Sequence, residues 1–449
     1  MAKAKTAYLC TDCGAHSVKW QGQCPDCGAW NSLTETRPQA ATRPASGGSE
    51  PAALGELAAV AMPRHQTGFG EFDRVLGGGL VPGSVVLLGG DPGVGKSTLL
   101  QQVAARLPED LGVLYATGEE SLQQVAQRSQ RIGTENAKLR LLADTSLENI
   151  LAQASAVNAR VIVVDSIQTV VSDELSSAPG SVAQLRECVG QLVRFAKSRD
   201  VALFLIGHVT KEGAIAGPRV VEHMVDTVLY FENDPSSRYT IVRAVKNRFG
   251  ASSELGVLAM TEAGFREVKN PSAIFLSGRQ GPRPGSLTSV TWEGSRPLLV
   301  EIQALVADGV SNYPKRLANG IDQSRLALLV AVLQRHGDIA LGTDDIFVNV
   351  TGGLRINETA ADLPVLLSIV SSFRDRSLAE GVLSFGEVGL AGEVRPVRFG
   401  TERLTEAAKQ GFRRAIVPAN NVPRRAPDGL DVVPVEDLST ALEVAFDSD

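Results

Sequence analysis

Gly90-Asp91-Pro92-Gly93-Val94-Gly95-Lys96-Ser97 fits G-x-x-x-x-G-K-[ST], the spacing of a phosphate-binding loop. Glycines let backbone N–H groups converge on phosphate oxygens without Cβ clashes, and a helix N-terminus adds partial positive charge. Lys96 is expected to reach the β- and γ-phosphates of ATP. Ser97 is expected to ligate Mg²⁺, with Thr98 opening the helix. Two carboxylates would complete a hydrolytic set. Asp165 ends the apolar run VIVVD and is expected to hold Mg²⁺ through water. Glu119 follows GVLYAT, at a strand's C-terminal end, where open α/β sheets bind ligands. It is expected to orient or deprotonate the attacking water. Glu120 reads as the acidic first turn of the next helix.

Other polar residues sit at strand ends. His208 follows VALFLIG and is either a sensor of the γ-phosphate or a satisfied polar residue at a strand tip. The loop after it, TKEGAIAGPR, carries Lys211 and Arg219, cations suited to a nucleic-acid backbone. The segment Val171 to Val182 is polar and turn-rich and is expected to be mobile. Lys246 and Arg248 lie two apart on the alternating strand SRYTIVRAVKNRF and point to one side. They are either fingers reaching a neighbouring copy's γ-phosphate or solvated cations on an exposed edge strand.

A second constellation is metal-binding. Cys10, Cys13, Cys24 and Cys27 form two Cys-x-x-Cys pairs, each followed by glycine (Gly14, Gly28). Four thiolates can close a tetrahedral Zn²⁺ site with no open position, so the site is structural. Disulfides do not suit a reducing compartment. Lys19, Trp20 and Trp30 could touch DNA or a partner, but both tryptophans are expected to cover the metal site instead. His16 is not needed as a ligand, and Cys188, alone in a helical pattern, reads as core.

The elements that must position these groups are legible. Val85–Leu88 reads as a buried strand before the phosphate loop, and GKSTLLQQVAARL as the helix after it. Strand-like and helical runs then alternate, the pattern of an α/β fold with a parallel sheet. Glu35 to Leu54 is rich in Pro, Ala, Ser and Gly and reads as a tether. The chain has 449 residues, 43% hydrophobic and 21% charged, enough for two or three domains. No apolar run approaches the ~18 residues of a membrane span. MAKAKTAYLCTDCG lacks a signal-peptide core, so the cytoplasm is the expected compartment. With a net charge of −6, any DNA contact must be local, through a channel or a few loops.

The four-cysteine knuckle, GDPGVGKST, TGEES, VVDSIQT, GHVTKEG and KNRFG together make the sequence resemble the bacterial RadA (Sms) family over nearly its whole length. The resemblance implies a RecA-like ATPase core and a DNA-stimulated ATPase acting with RecA recombinase in recombination and repair. Its substrates would be single-stranded and branched DNA, processed by a homo-hexameric, helicase-like motor. It also implies that Lys246 and Arg248 act across the subunit interface. The loops near 171–182 and 210–219 would face DNA. From Gly285 the order of elements, including GEVGLAGEVRPV, resembles the proteolytic domain of Lon-type proteases. Such catalysis needs a serine activated by a lysine. Ala360 and Thr401 occupy those positions, so the domain is expected to be proteolytically inactive, with Ser368, Ser371 and Ser372 structural. The expected domains are a C4 zinc finger (1–33), a linker (34–57), the ATPase (58–270) and an α+β Lon-like domain (271–449). Lys315–Arg316 and Arg424–Arg425 read as solvated loop cations. The alternatives are an ATP-dependent protease and a nucleotide-switched scaffold resembling circadian-clock ATPases.

Overall fold

The computed structural model describes residues 7–10, 16–26, 28–36, 62–135, 137–207, 221–233, 239–268, 270–276, 281–309 and 313–446. Cys13, Cys27, His208, Lys211 and Arg219 lie outside the described residues. The chain divides into two compact units, residues 1–267 and 268–449.

The first unit begins with a three-stranded antiparallel sheet in the order β2-β1-β3, from β1 (Ala7–Cys10), β2 (His16–Ser17) and β3 (Leu33–Thr36). Cys10 and Cys24 are buried and pack with Leu33 and Tyr8. The Cys10 thiol donates to Ser32 Oγ at 3.2 Å. Gly28 takes a left-handed φ of 75° and donates its N–H to Cys24 O, closing a knuckle turn. Neither tryptophan is buried against the two described cysteines. Trp20 is 57% and Trp30 72% exposed.

The larger sheet has nine strands in the order β12-β11-β10-β9-β4-β8-β7-β5-β6. Its parallel part comprises β4 (Val85–Gly90), β5 (Val113–Thr117), β6 (Arg140–Ala143), β7 (Val161–Asp165), β8 (Ala202–Ile206) and β9 (Thr227–Asn233). Three antiparallel strands extend it: β10 (Tyr239–Asn247), β11 (Leu255–Thr261) and β12 (Gly264–Glu267). Side chains alternate across the sheet, so two cores form. Val86, Leu88, Tyr115 and Val163 face the helices α1 (Gly70–Val75) and α2 (Lys96–Arg106). Val85, Leu87, Leu114 and Ile162 face the opposite way, with α4 (Leu147–Ala156) and α5 (Val182–Arg199) on that side; α3 (Leu122–Ile132) precedes them in the chain. Cys188 is fully buried in the second core.

Three local expectations change. β10 pairs on both sides, so it is not an edge strand. The helix α3 is capped by Ser121 and Gln124 in a capping box, while Glu120 stays outside it and pairs with Arg128 at 2.7 Å. The 171–182 segment is tied down: Gln184 Nε2 donates to the carbonyls of Ser172, Leu175 and Ser177 at 3.0–3.2 Å, and Ser172 Oγ donates to Glu148.

The second unit is α+β. Its seven-stranded sheet runs β15-β16-β14-β13-β17-β20-β21. The strands are β13 (Ser286–Glu293), β14 (Arg296–Ala307), β15 (Arg316–Asn319), β16 (Asp345–Val350), β17 (Val382–Ser384), β20 (Arg414–Pro418) and β21 (Asp431–Val435); β18 (Glu387–Val388) and β19 (Val394–Arg395) form a separate pair. The largely buried helix Asp362–Phe373 packs on β13 and β14. Arg316 is held rather than free: its guanidinium donates to the carbonyls of Leu341 and Asp344. Arg425 remains a solvated cation near Asp428. Among the described residues no helix is long and apolar enough to cross a membrane.

Candidate active site

The phosphate loop links β4 to α2. Gly95 sits at the helix N-cap with φ 96°, and a Cβ there would lie 2.5 Å from Met260 and 2.7 Å from Phe265. Only glycine fits both the conformation and the space. Nothing lies within 4 Å of a Cβ built on Gly93, so the loop's outer side is open. The first turn of α2 has no side-chain cap and no acidic residue, which leaves its N–H groups directed at an anion. This donor set fits a triphosphate. Lys96 Nζ donates to the carbonyls of Gly90 and Asp91, both at 2.8 Å, and so spans the loop it would cross to reach phosphate. Burial lowers the Lys96 pKa, against the pull of Asp165, Asp91 and Glu119.

Asp165 ends β7, 4% exposed, between Thr117 of β5 and Ile206 of β8. Glu119 follows β5 and accepts from Ser166 Oγ. The turn joining them is tight: Gly118 N–H donates to Asp165 O at 2.8 Å, and a Cβ on Gly118 would lie 2.0 Å from Thr169 Oγ1. Lys96, Asp165 and Glu119 therefore share one electrostatic neighbourhood at the C-terminal ends of the parallel strands. Ser97 and Asp165 are the residues that would hold Mg²⁺. Two groups around the set were not legible in the sequence. Tyr115, fully buried, donates its hydroxyl to Asp165 Oδ2 at 2.6 Å. Arg128 Nε donates to Gln101 Oε1 at 2.6 Å, tying the Glu120 pair to α2. The available signal for Tyr115 is a phenol inside an otherwise apolar strand, which needs an acceptor.

Lys246 and Arg248 stand apart from this set. Lys246 pairs in register with Val228, and Val228 with Leu87, while Gly90 pairs with Phe231. Arg248 N–H donates to Asp226 O, and Asp226 N–H to Val85 O. The two cations thus lie toward the start of β4. From Val85 to Gly90 is roughly 16 Å along the strand. Lys246 Nζ donates to the carbonyls of Glu222 and Val225 at 2.8 Å and of His223 at 3.3 Å. Burial and then Arg248 lower its pKa. Arg248 meets the buried carboxylate of Asp226 at 3.1 Å, which also accepts from Lys197 at 2.9 Å and Val85 N–H at 3.1 Å.

In the second unit, Ala360 is buried in a short 3₁₀ turn, and Thr401 lies at the start of the helix Gly400–Lys409. Between these elements Glu358 accepts from Arg403 at 2.6 Å, from Trp292 N–H at 2.7 Å and from Thr291 Oγ1 at 3.0 Å. Arg403 is wholly buried. The serines of the helix Asp362–Phe373 bond the backbone: Ser371 accepts from Gly285 N–H, and Ser372 from Val306 N–H, each at 2.9 Å.

Three family models match the chain: an AAA domain over residues 56–214, a rubredoxin metal-binding domain over 8–35 and subunit ChlI of Mg-chelatase over 320–421. A DNA repair protein RadA from Pseudomonas aeruginosa is 55% identical over 100% of both chains. The chain belongs to the RadA family of DNA repair proteins. RadA from Escherichia coli is 52% identical over 100% of both chains, and RadA from Bacillus subtilis is 46% identical over 99% of this chain. The RadA relatives and the matched domains together describe a DNA-repair ATPase. Its parts are a zinc ribbon, a RecA-like P-loop core and a Lon-protease-like C-terminal domain. A solved KaiC-like protein from Pyrococcus horikoshii, 20% identical, covers 46% of the chain at a TM-score of 0.39.

Proposed function

We propose that this RadA-family chain hydrolyses ATP at interfaces between copies of itself in a homo-hexameric ring, and that hydrolysis drives movement along single-stranded and branched DNA in recombination alongside RecA. In one copy Lys96, Ser97 and Asp165 hold the nucleotide and Mg²⁺, and Glu119 handles the attacking water. Bound Mg²⁺ would offset charge on the β- and γ-phosphate oxygens. Lys246 and Arg248 complete the site from the next copy. The placement of these two cations is the observation that carries the reading. They sit toward the opposite end of β4 from their own phosphate loop, which supports a role at a neighbour's triphosphate rather than at their own. His208, Lys211 and Arg219 would couple the γ-phosphate to DNA, with Asp165 and Glu119 on the hydrolytic side. Cys10, Cys13, Cys24 and Cys27 hold structural Zn²⁺.

The test is ATP hydrolysis by the purified full chain with no DNA, with single-stranded DNA and with a branched substrate, alongside native mass measurement with bound nucleotide. Stimulation by DNA and a ring mass are expected. Lys96→Ala should abolish turnover, at least 100-fold. A chain that stays monomeric with nucleotide and DNA present would overturn the reading, as would near-normal turnover in Lys96→Ala.

A further inference from the structure

We infer that Tyr115 is a positioning residue for the metal-holding carboxylate. Its phenol fixes Asp165 so that one oxygen stays turned toward Mg²⁺. The inference rests on the reading of Asp165 as that carboxylate, and deepens it.

The placement follows from the sheet. Tyr115 pairs in register with Val163, and Asp165 with Thr117, on the adjacent parallel strands β5 and β7. Tyr115 and Asp165 therefore stand on the same face as diagonal neighbours, a separation an aromatic side chain spans. The Tyr115 hydroxyl donates to Asp165 Oδ2 at 2.6 Å, within the range of a hydrogen bond to an ionised oxygen. Tyr115 has no exposed surface, and Asp165 has 4%. A phenylalanine would fill the same apolar volume without a polar atom to satisfy. The hydroxyl is thus accounted for by its partner rather than by packing.

The chemistry suits the task. A phenol has one O–H to donate, and Asp165 Oδ2 is where it goes. Holding Oδ2 restrains rotation about the Cβ–Cγ bond and would leave Oδ1 as the oxygen available to hold Mg²⁺. The same contact joins β5, which leads into Glu119, to β7, which ends in Asp165. The two hydrolytic carboxylates are thereby kept at a fixed spacing.

The test measures affinity of the full chain for a fluorescent ADP analogue across a Mg²⁺ titration, in wild type, Tyr115→Phe and Asp165→Asn. Tyr115→Phe should bind the analogue in EDTA within about twofold of wild type, which also shows that it folds. Its half-saturating Mg²⁺ concentration should rise about tenfold, the size of one hydrogen bond to a charged group. A folded Tyr115→Phe with a Mg²⁺ half-saturation within twofold of wild type would overturn the inference. If Asp165→Asn shifts the midpoint and Tyr115→Phe does not, this inference alone fails. If neither shifts it, the reading of Asp165 fails first. Should Tyr115→Phe not fold, 3-fluorotyrosine placed at position 115 keeps the shape and makes the hydroxyl a stronger donor. An unmoved Mg²⁺ midpoint in that protein overturns the inference equally.

Discussion

Glu119 and Ser166 meet across the ends of β5 and β7, and Glu119 lies close enough to Lys96 to act on its charge. Glu119→Gln removes the proposed base but keeps the shape. It should lower steady-state turnover at least 100-fold while leaving nucleotide affinity within a few-fold, as read by hydrolysis and equilibrium binding on one preparation. Cys188 gives a prediction of opposite kind. Burial pushes its thiol up to about 12, helped by Glu148 and Glu187, so the reactive thiolate is scarce at pH 8. A maleimide should leave Cys188 unmodified in the native chain and label it only in denaturant, as peptide mass mapping would show. At this scale the sequence was informative wherever the chemistry was local. The phosphate loop is one unbroken run, and Asp165 and Glu119 are strand-end residues in plain view. Tyr115 meets Asp165 from 50 residues away, and Asp226 meets Val85 N–H from 141 away. No spacing rule links such pairs before the sheet order is known.

Among the elements, the pair Glu358–Arg403 ties the 3₁₀ turn that holds Ala360 to the helix that carries Thr401. A buried guanidinium with its partner removed is costly, about 3–5 kcal/mol. Glu358→Gln should therefore lower the stability of the second unit by about 3 kcal/mol in urea titrations, whereas Arg403→Met, which removes the charge itself, should cost less. The knuckle offers a spectroscopic handle. Trp20 and Trp30 face solvent, while Trp292 stacks on Phe399 at 4.0 Å. Iodide should quench most of the zinc-loaded chain's indole emission. Removing zinc should unfold β1–β3 without shifting the melting of the ATPase core, since thiolate–metal bonds carry the folding of so small a module. The strands β4, β5, β7 and β8 and the helices α2 and α3 were readable from period and from glycine; β6, β9 and α4 were not. The interior place of β10 was not, because its alternation of apolar and polar residues reflects the pleat and says nothing of how many neighbours it has. The hold on residues 171–182 was hidden for a related reason: Gln184 on the following helix and Glu148 on α4 supply it, and a polar, turn-rich segment reads the same whether tied or free.

For the whole molecule, the proposed ring makes a mixing prediction. Lys96→Ala lacks its own nucleotide site but keeps its fingers, and Arg248→Ala has the reverse defect. Each alone should be nearly inactive, yet an equimolar mixture allowed to exchange subunits should recover up to about a quarter of wild-type hydrolysis. No recovery despite proven exchange would count against catalysis in trans. The cluster around Asp226 bears on how readily such a finger can be given up. One buried carboxylate there answers to two cations, Lys197 and Arg248, and to the N–H of Val85. The site carries one positive charge beyond balance. If Arg248 swings outward, Lys197 still neutralises Asp226, and no anion is stranded in the interior. In the proposed ring, extending the guanidinium would therefore give up one partly exposed ion pair and leave Asp226 still answered by Lys197.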